Sequence, residues 1–198
     1  MQGSLLSQDD QVRWDKQHAD SADAAQPASF LRQVFATDAW RLPRGRALDI
    51  ACGKGRNSLY LAELGFEVAA MDISAVALDE ARTRAKSRQL CIDWRQSDLE
   101  VVQLDEAVFD LVVNFNYLQR SLIPQIMCAV KVGGYVIFET YLIDQKEIGQ
   151  PKNPDYLLAH NELLEHFRDF RVLYYREGKF TEGDEASYRA GILAQRAV

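Results

Sequence analysis

The stretch "ALDIACGKGRNSLYLAEL", residues 47–64, decides how this chain is read. It opens as an apolar run suited to a buried strand and closes as a helical pattern, with Gly53 and Gly55 between. Strand, glycine turn and helix in that order leave room for a ligand to approach the backbone and the helix N-terminus. A dinucleotide pyrophosphate is the first occupant to consider. Its fingerprint wants G-x-G-x-x-G, however, and Ser58 stands where the third glycine belongs. Asp49 at the strand end argues the same way, because a carboxylate repels a phosphate and suits an ammonium or a sulfonium. The turn is therefore read as a seat for a positively charged ligand.

Outward from that stretch the same cycle recurs. "SFLRQVF" predicts a helix before the first strand, and "FEVAAMD" a second strand followed by the helix "SAVALDEARTRAKSR", which Ser74 caps and in which Leu78, Ala81 and Ala85 share one face. "CIDWRQSD" and "FDLVVNFN" read as further strands, then a helix around "SLIPQIMCAVKV" with Pro124 in its first turn, and the strand "YVIFETY". Short apolar strands alternating with helices imply a mainly parallel sheet covered on both faces, with ligands at the strands' C-terminal ends. The tail departs from the cycle. A helix "NELLEHFRDF" leads to "RVLYYREG" and "SYRAGILAQRA", two strands joined by the polar turn "KFTEGDEA", which would append an antiparallel hairpin.

The motif Asp49-x-Ala51-Cys52-Gly53-x-Gly55 resembles the first motif of the class I methyltransferases that use S-adenosylmethionine, with Ala51 where that family often has a glycine. The resemblance continues along the chain. Asp72 in "AAMDIS" matches the acid that hydrogen-bonds both ribose hydroxyls, a task for which a carboxylate's two oxygens are suited. "QSDLE" matches the motif in which Asp98 would accept from the adenine amino group, flanked by Ser97 and Leu99, and "FDLVVNFNYL" the one in which Asn114 lines the methyl-transfer site. Asn57 and Ile73 complete the cofactor-side candidates. The resemblance covers roughly residues 30–198. It implies a Rossmann-like α/β fold, a doubly wound and mostly parallel seven-stranded sheet with a C-terminal antiparallel hairpin, and S-adenosylmethionine as cofactor.

The segment "RWDKQHADSADAAQPASFL" is similar to the arm of the small-molecule branch that contains tellurite-resistance and thiopurine-type enzymes, in which it folds over the cofactor as a lid. Residues 1–29 are accordingly read as an arm and 30–198 as the methyltransferase domain. Acceptor-side candidates are Asn116, Tyr117 and Arg120 after the fourth strand, Glu139 and Tyr141 at the fifth and, from the arm, His18; no catalytic base is singled out. Gln145, Gln150, Pro151 and Asn153 are loop residues placed to shape specificity, with a helix expected from Pro154 onward.

Composition limits the remaining readings. A chain of 198 residues with 47% hydrophobic content can bury one core without staples, and a net charge of −6 provides no basic footprint for nucleic acid. Three cysteines, Cys52, Cys91 and Cys128, form no C-x-x-C pair, so neither a disulfide framework nor a metal site is expected, and no run approaches membrane-spanning length. The expectation is a cytoplasmic monomer or homodimer acting on a small-molecule methyl acceptor. A non-catalytic cofactor-binding module and, less favoured, a nicotinamide-dependent oxidoreductase are the alternatives.

Overall fold

The computed structural model describes residues 11–16, 18–19, 26–37, 39–40, 42–182 and 185–197. Helix α1 covers 11–16, with 18 and 19 also helical. There follow α2 (Ser29–Phe35), β1 (Arg46–Ile50), α3 (Arg56–Glu63), β2 (Glu67–Asp72), α4 (Ala75–Ser87), β3 (Ile92–Gln96) and β4 (Phe109–Phe115). The second half comprises α5 (Ile123–Ala129), β5 (Val130–Tyr141), α6 (Glu162–His166), β6 (Arg171–Glu182) and β7 (Glu185–Gln195). The strands form one sheet in the order β3-β2-β1-β4-β5-β7-β6. Pairings from β3 through β5 are parallel, while β7 runs antiparallel to both β5 and β6.

Side-chain alternation along the strands builds two cores, one on each face of the sheet. Leu48 and Ile50 of β1 point into a core completed by Ile123 and Ile126 of α5 and by Leu163 and Phe167 at α6. Ala47 lies on the other face with Phe30 and Leu31 of α2, Leu61 of α3 and Leu78 of α4. β1 is thus buried on both sides, which is why its sequence reads as a continuous apolar run rather than an alternating one. From β1 the chain goes to β2 on one side and later returns to β4 on the other. The topological switch point of the sheet lies outside the C-terminal ends of β1 and β4, where open α/β sheets form a ligand-binding crevice.

Three expected boundaries move. The helix read through "AVKV" stops at Ala129, because Val130 already begins β5, pairing with Phe109 ahead of the Gly133–Gly134 irregularity. No helix starts at Pro154; Pro154–Tyr156 is a single 3-10 turn, and the later helix is only Glu162–His166. Most of the supposed turn "KFTEGDEA" is strand, since Lys179–Glu182 pair with Glu185–Tyr188, and Gly183 and Asp184 between them lie outside the described residues.

Candidate active site

The glycine turn after β1 is backbone-driven. Ala51, Gly53 and Gly55 all have positive φ, at 52°, 52° and 77°. The Cys52 N–H donates to the Met71 carbonyl at 3.0 Å, carrying the β1–β2 pairing two residues beyond the strand. The two glycines then serve different purposes. A Cβ on Gly53 would meet only the His18 ring, at 3.2 Å, so this residue faces the crevice. A Cβ on Gly55 would lie 2.6 Å from Trp94 and 3.0 Å from the Ala81 methyl. Gly55, expected to leave room for a ligand, leaves room for the chain's own tryptophan.

Asp72 ends β2, nearly buried, with both carboxylate oxygens held: the Gly53 N–H donates to Oδ2 at 2.7 Å and the Ser74 N–H to Oδ1 at 2.9 Å. Each oxygen retains a further acceptor site directed away from these backbone donors. The end of β3 is tied alongside, because the Ser97 N–H donates to the Asp72 carbonyl at 2.9 Å. Asp98 is half-buried there and accepts from the Glu100 N–H at 2.9 Å, next to the buried Leu99. Ile73 is half-buried beside Asp72, and Gln96 donates to its carbonyl.

Asp49 is turned toward α3 and accepts a 2.5 Å hydrogen bond from the Ser58 hydroxyl. Burial raises its pKa to about 7; the Ser58 bond and the Arg56 charge pull it down, and the charge of nearby Asp72 pushes it up. Burial likewise holds the Cys52 thiol well above its usual range. Asn57 has a tethering position, its carbonyl accepting from the Ala28 N–H at 2.9 Å and so fixing the start of α2 against α3. Asn114 closes the crevice from β4. Its amide donates to the Tyr117 carbonyl at 2.7 Å, whereas its buried Oδ1 has no partner among the described residues.

Beyond Asn114, charged groups from three strands converge. Buried Glu139 of β5 accepts from Arg176 of β6, through Nε at 3.0 Å and also through Nη2, and lies 3.7 Å from Arg189 of β7. The Arg189 guanidinium sits 4.2 Å over the Tyr141 ring and donates to Asn116 at 2.6 Å and Ser187 at 2.8 Å. Burial raises the Glu139 pKa although both arginines oppose it. Arg56, at the start of α3, is shifted down by burial and by the Arg189 charge. Arg56, Arg176 and Arg189 were not among the sequence candidates. The available signal was a charged residue inside an apolar strand pattern, Arg189 in "YRAGILA".

Arg120, by contrast, is committed elsewhere. It forms a two-pronged pair with Glu162, at 2.6 and 3.0 Å, and donates to the carbonyls of Asp155 at 3.0 Å and Leu157 at 2.8 Å, clamping the 154–157 turn to α6. Tyr117 packs against the core and donates to Gln119 at 2.6 Å. Buried Gln145 organises the loop that contains it, donating to the Gln150 carbonyl and accepting from the Tyr188 N–H. Asn153 accepts from the Asp155 N–H. The arm reaches the crevice from the opposite side: Ser74 donates to Asp15 at 2.6 Å, and His18 stands against Gly53. The arm's residues 1–10, 17 and 20–25 lie outside the described residues. Among the described residues no His, Cys, Asp and Glu cluster could hold a metal, and no helix is long and apolar enough to cross a membrane.

Parallel sheet, switch-point crevice and reversed terminal hairpin define a Rossmann-like methyltransferase fold. Residues 47–134 match the family model described as a methyltransferase domain. TehB of Haemophilus influenzae, described as a probable S-adenosyl-L-methionine-dependent methyltransferase, is 29% identical over 153 residues, or 73% of this chain and 53% of that protein. Its crystal structure superposes with a TM-score of 0.72 at 24% identity, over 88% of this chain and 63% of the other. The ubiquinone biosynthesis O-methyltransferase of Coxiella burnetii is 35% identical over 98 residues, 47% of this chain and 42% of that protein. Geranyl diphosphate C-methyltransferase of Streptomyces coelicolor, solved with S-adenosyl-L-homocysteine, shares the fold at a TM-score of 0.64 and 16% identity, over 84% of this chain and 78% of the other. The chain spans about half the length of the curated relatives it matches. The matched domain, these relatives and the shared fold support a class I S-adenosylmethionine-dependent methyltransferase.

Proposed function

We propose that this protein transfers a methyl group from S-adenosylmethionine to a small-molecule acceptor, with the cofactor in the crevice above β1, β2 and β3. The observation that carries this reading is the pair of acceptors left open on the crevice walls. Asp72 is held by two backbone N–H groups with capacity to spare, and the Asn114 Oδ1 is buried without a partner. A buried unsatisfied acceptor costs about 1–3 kcal/mol, so its persistence fits a ligand donor such as a hydroxyl or an ammonium. Gly53 fits as well, since its missing side chain leaves only the His18 ring of the arm facing the turn.

In this reading Asp72 accepts from the ribose hydroxyls, Asp98 from the adenine amino group beside Leu99, and Asn114 from the methionine ammonium. Ala51, Cys52, Gly53, Ile73 and Ser97 wall the crevice, and Asp49 lies beneath it, bonded to Ser58. Gly55 and Asn57 act indirectly, through Trp94 and Ala28. The cofactor when bound supplies an electrophilic methyl on positively charged sulfur. The chain then needs to place an acceptor lone pair in line behind that methyl, which can account for much of the acceleration, and to exclude water. A general base is optional where the acceptor has no proton that must leave early. The acceptor lies on the side of Tyr141, Arg189 and Glu139, and Arg120 serves as a clamp on the loop below. We assign the arm the role of a lid carrying His18, and the protein a cytoplasmic location as a monomer or homodimer without nucleic-acid partners.

The test is methyl transfer from labelled S-adenosylmethionine to a panel of thiols, amines, carboxylates and oxyanions. Turnover on at least one is expected. Tight S-adenosylhomocysteine binding with turnover on none would make the protein a cofactor-binding module instead.

A further inference from the structure

The arm meets the body through a connected set of hydrogen bonds. Asp15 Oδ1 accepts from the Ser74 hydroxyl at 2.6 Å and from the Val76 N–H at 3.3 Å. Ser74 is the N-cap of α4 and accepts from the Ala77 N–H at 3.1 Å. Its own N–H donates to Asp72, whose other oxygen accepts from Gly53. Asp15, Ser74, Asp72 and Gly53 thus form one chain running from the arm to the glycine turn. Three residues later along α1, the His18 ring lies against Gly53, with Trp14 beside it at a ring separation of 6.1 Å. The same short helix therefore both hooks onto the cap beside Asp72 and covers the turn.

A carboxylate at a helix N-terminus is a favourable partner, because it satisfies donors that have no partner within the helix and complements the helix dipole. A hydroxyl-to-carboxylate bond belongs to the stronger, charge-assisted kind. Nothing in the fold of residues 30–198 requires this contact, since Ser74 caps α4 by itself. Its consequence falls on the crevice.

We infer that Asp15 is a positioning residue for cofactor retention: by hooking Ser74 it holds α1 shut over the glycine turn and steadies the Ser74–Asp72–Gly53 chain from outside. This rests on the reading that Asp72 and Gly53 line the cofactor crevice. While the hook is made, α1 blocks the approach to Gly53. Cofactor exchange requires it to break, so the hook sets the rate at which the nucleoside leaves more than the strength of its own contacts.

The experiment uses the full chain and its Asp15→Ala and Asp15→Asn variants. S-adenosylhomocysteine association and dissociation are followed by stopped-flow tryptophan fluorescence, and trypsin cleavage after Arg13 and Lys16 reports on docking of α1. Asp15→Ala is expected to dissociate the ligand about tenfold faster, the factor corresponding to loss of one such bond, with a smaller rise in association rate. Cleavage after Arg13 and Lys16 should accelerate while the melting temperature stays near that of the parent. Asp15→Asn keeps an acceptor oxygen without the charge and should fall between. Unchanged dissociation together with unchanged cleavage would overturn the proposal. Should the parent protein bind no S-adenosylhomocysteine, the cofactor reading fails, and equal cleavage of parent and Asp15→Ala would refute the hook independently.

Discussion

The two sides of the crevice are built in opposite ways. On the side proposed to hold the cofactor, at the ends of β1, β2 and β3, the geometry is set by backbone: positive-φ turns, a helix cap and N–H groups that fix one carboxylate. On the side proposed for the acceptor, at the ends of β4, β5 and β7, it is set by long side chains from distant parts of the chain, with Glu139 between Arg176 and Arg189. A backbone-built seat is rigid and indifferent to most substitutions around it. A seat made of paired charges depends on each partner and can be re-cut by changing one.

That contrast is broken most sharply at Glu139. Glu139→Gln leaves two largely buried guanidiniums without their carboxylate and should destabilise the fold by about 3–5 kcal/mol in urea denaturation. The comparison is sharpened if the surviving folded fraction still binds S-adenosylhomocysteine normally. Next in size is the difference between the two glycines. Gly55→Ala must displace Trp94 and strain a positive φ, so a loss of about 2–3 kcal/mol is expected in thermal unfolding. Gly53→Ala meets only His18 and should lose about 1 kcal/mol of stability, with its main effect on cofactor affinity. Equal losses would show that Gly55 faces open space after all.

A separate effect, read as a slope against pH, comes from Asp49, whose folded pKa is raised to about 7 chiefly by burial. Because the folded form holds its proton more tightly than the unfolded chain does, this contribution to stability is complete in acid and fades as pH rises through about 7. Asp49→Asn should flatten that slope, and an unaltered slope would place the titrating group elsewhere.

The strand-end positions of the proposed cofactor side are legible in the sequence for the same reason that they are rigid. Asp49, Gly53, Asp72, Ser74 and Asp98 stand at strand ends, where local pattern dictates position, and the sheet order follows from the alternation of elements. What could not be read was which way a residue faces once the chain packs. Gly55 and Trp94 lie 39 positions apart and meet only because α3 crosses toward β3. Asn57 looks like a turn residue until α2 presents the Ala28 N–H to it. Arg120 looked available for a substrate because Glu162, its partner, lies 42 residues onward. Arg176 and Arg189 come together with Glu139 only through the antiparallel register of β5, β7 and β6.

The central claim, that the crevice bounded by Gly53, Asp72 and Asn114 seats the cofactor nucleoside, is tested most directly by calorimetric titration of S-adenosylhomocysteine into the parent protein and Asp72→Ala. Binding to the parent is expected, weakened by about 1.5–3 kcal/mol in the variant. Equal affinity in the two proteins would contradict it.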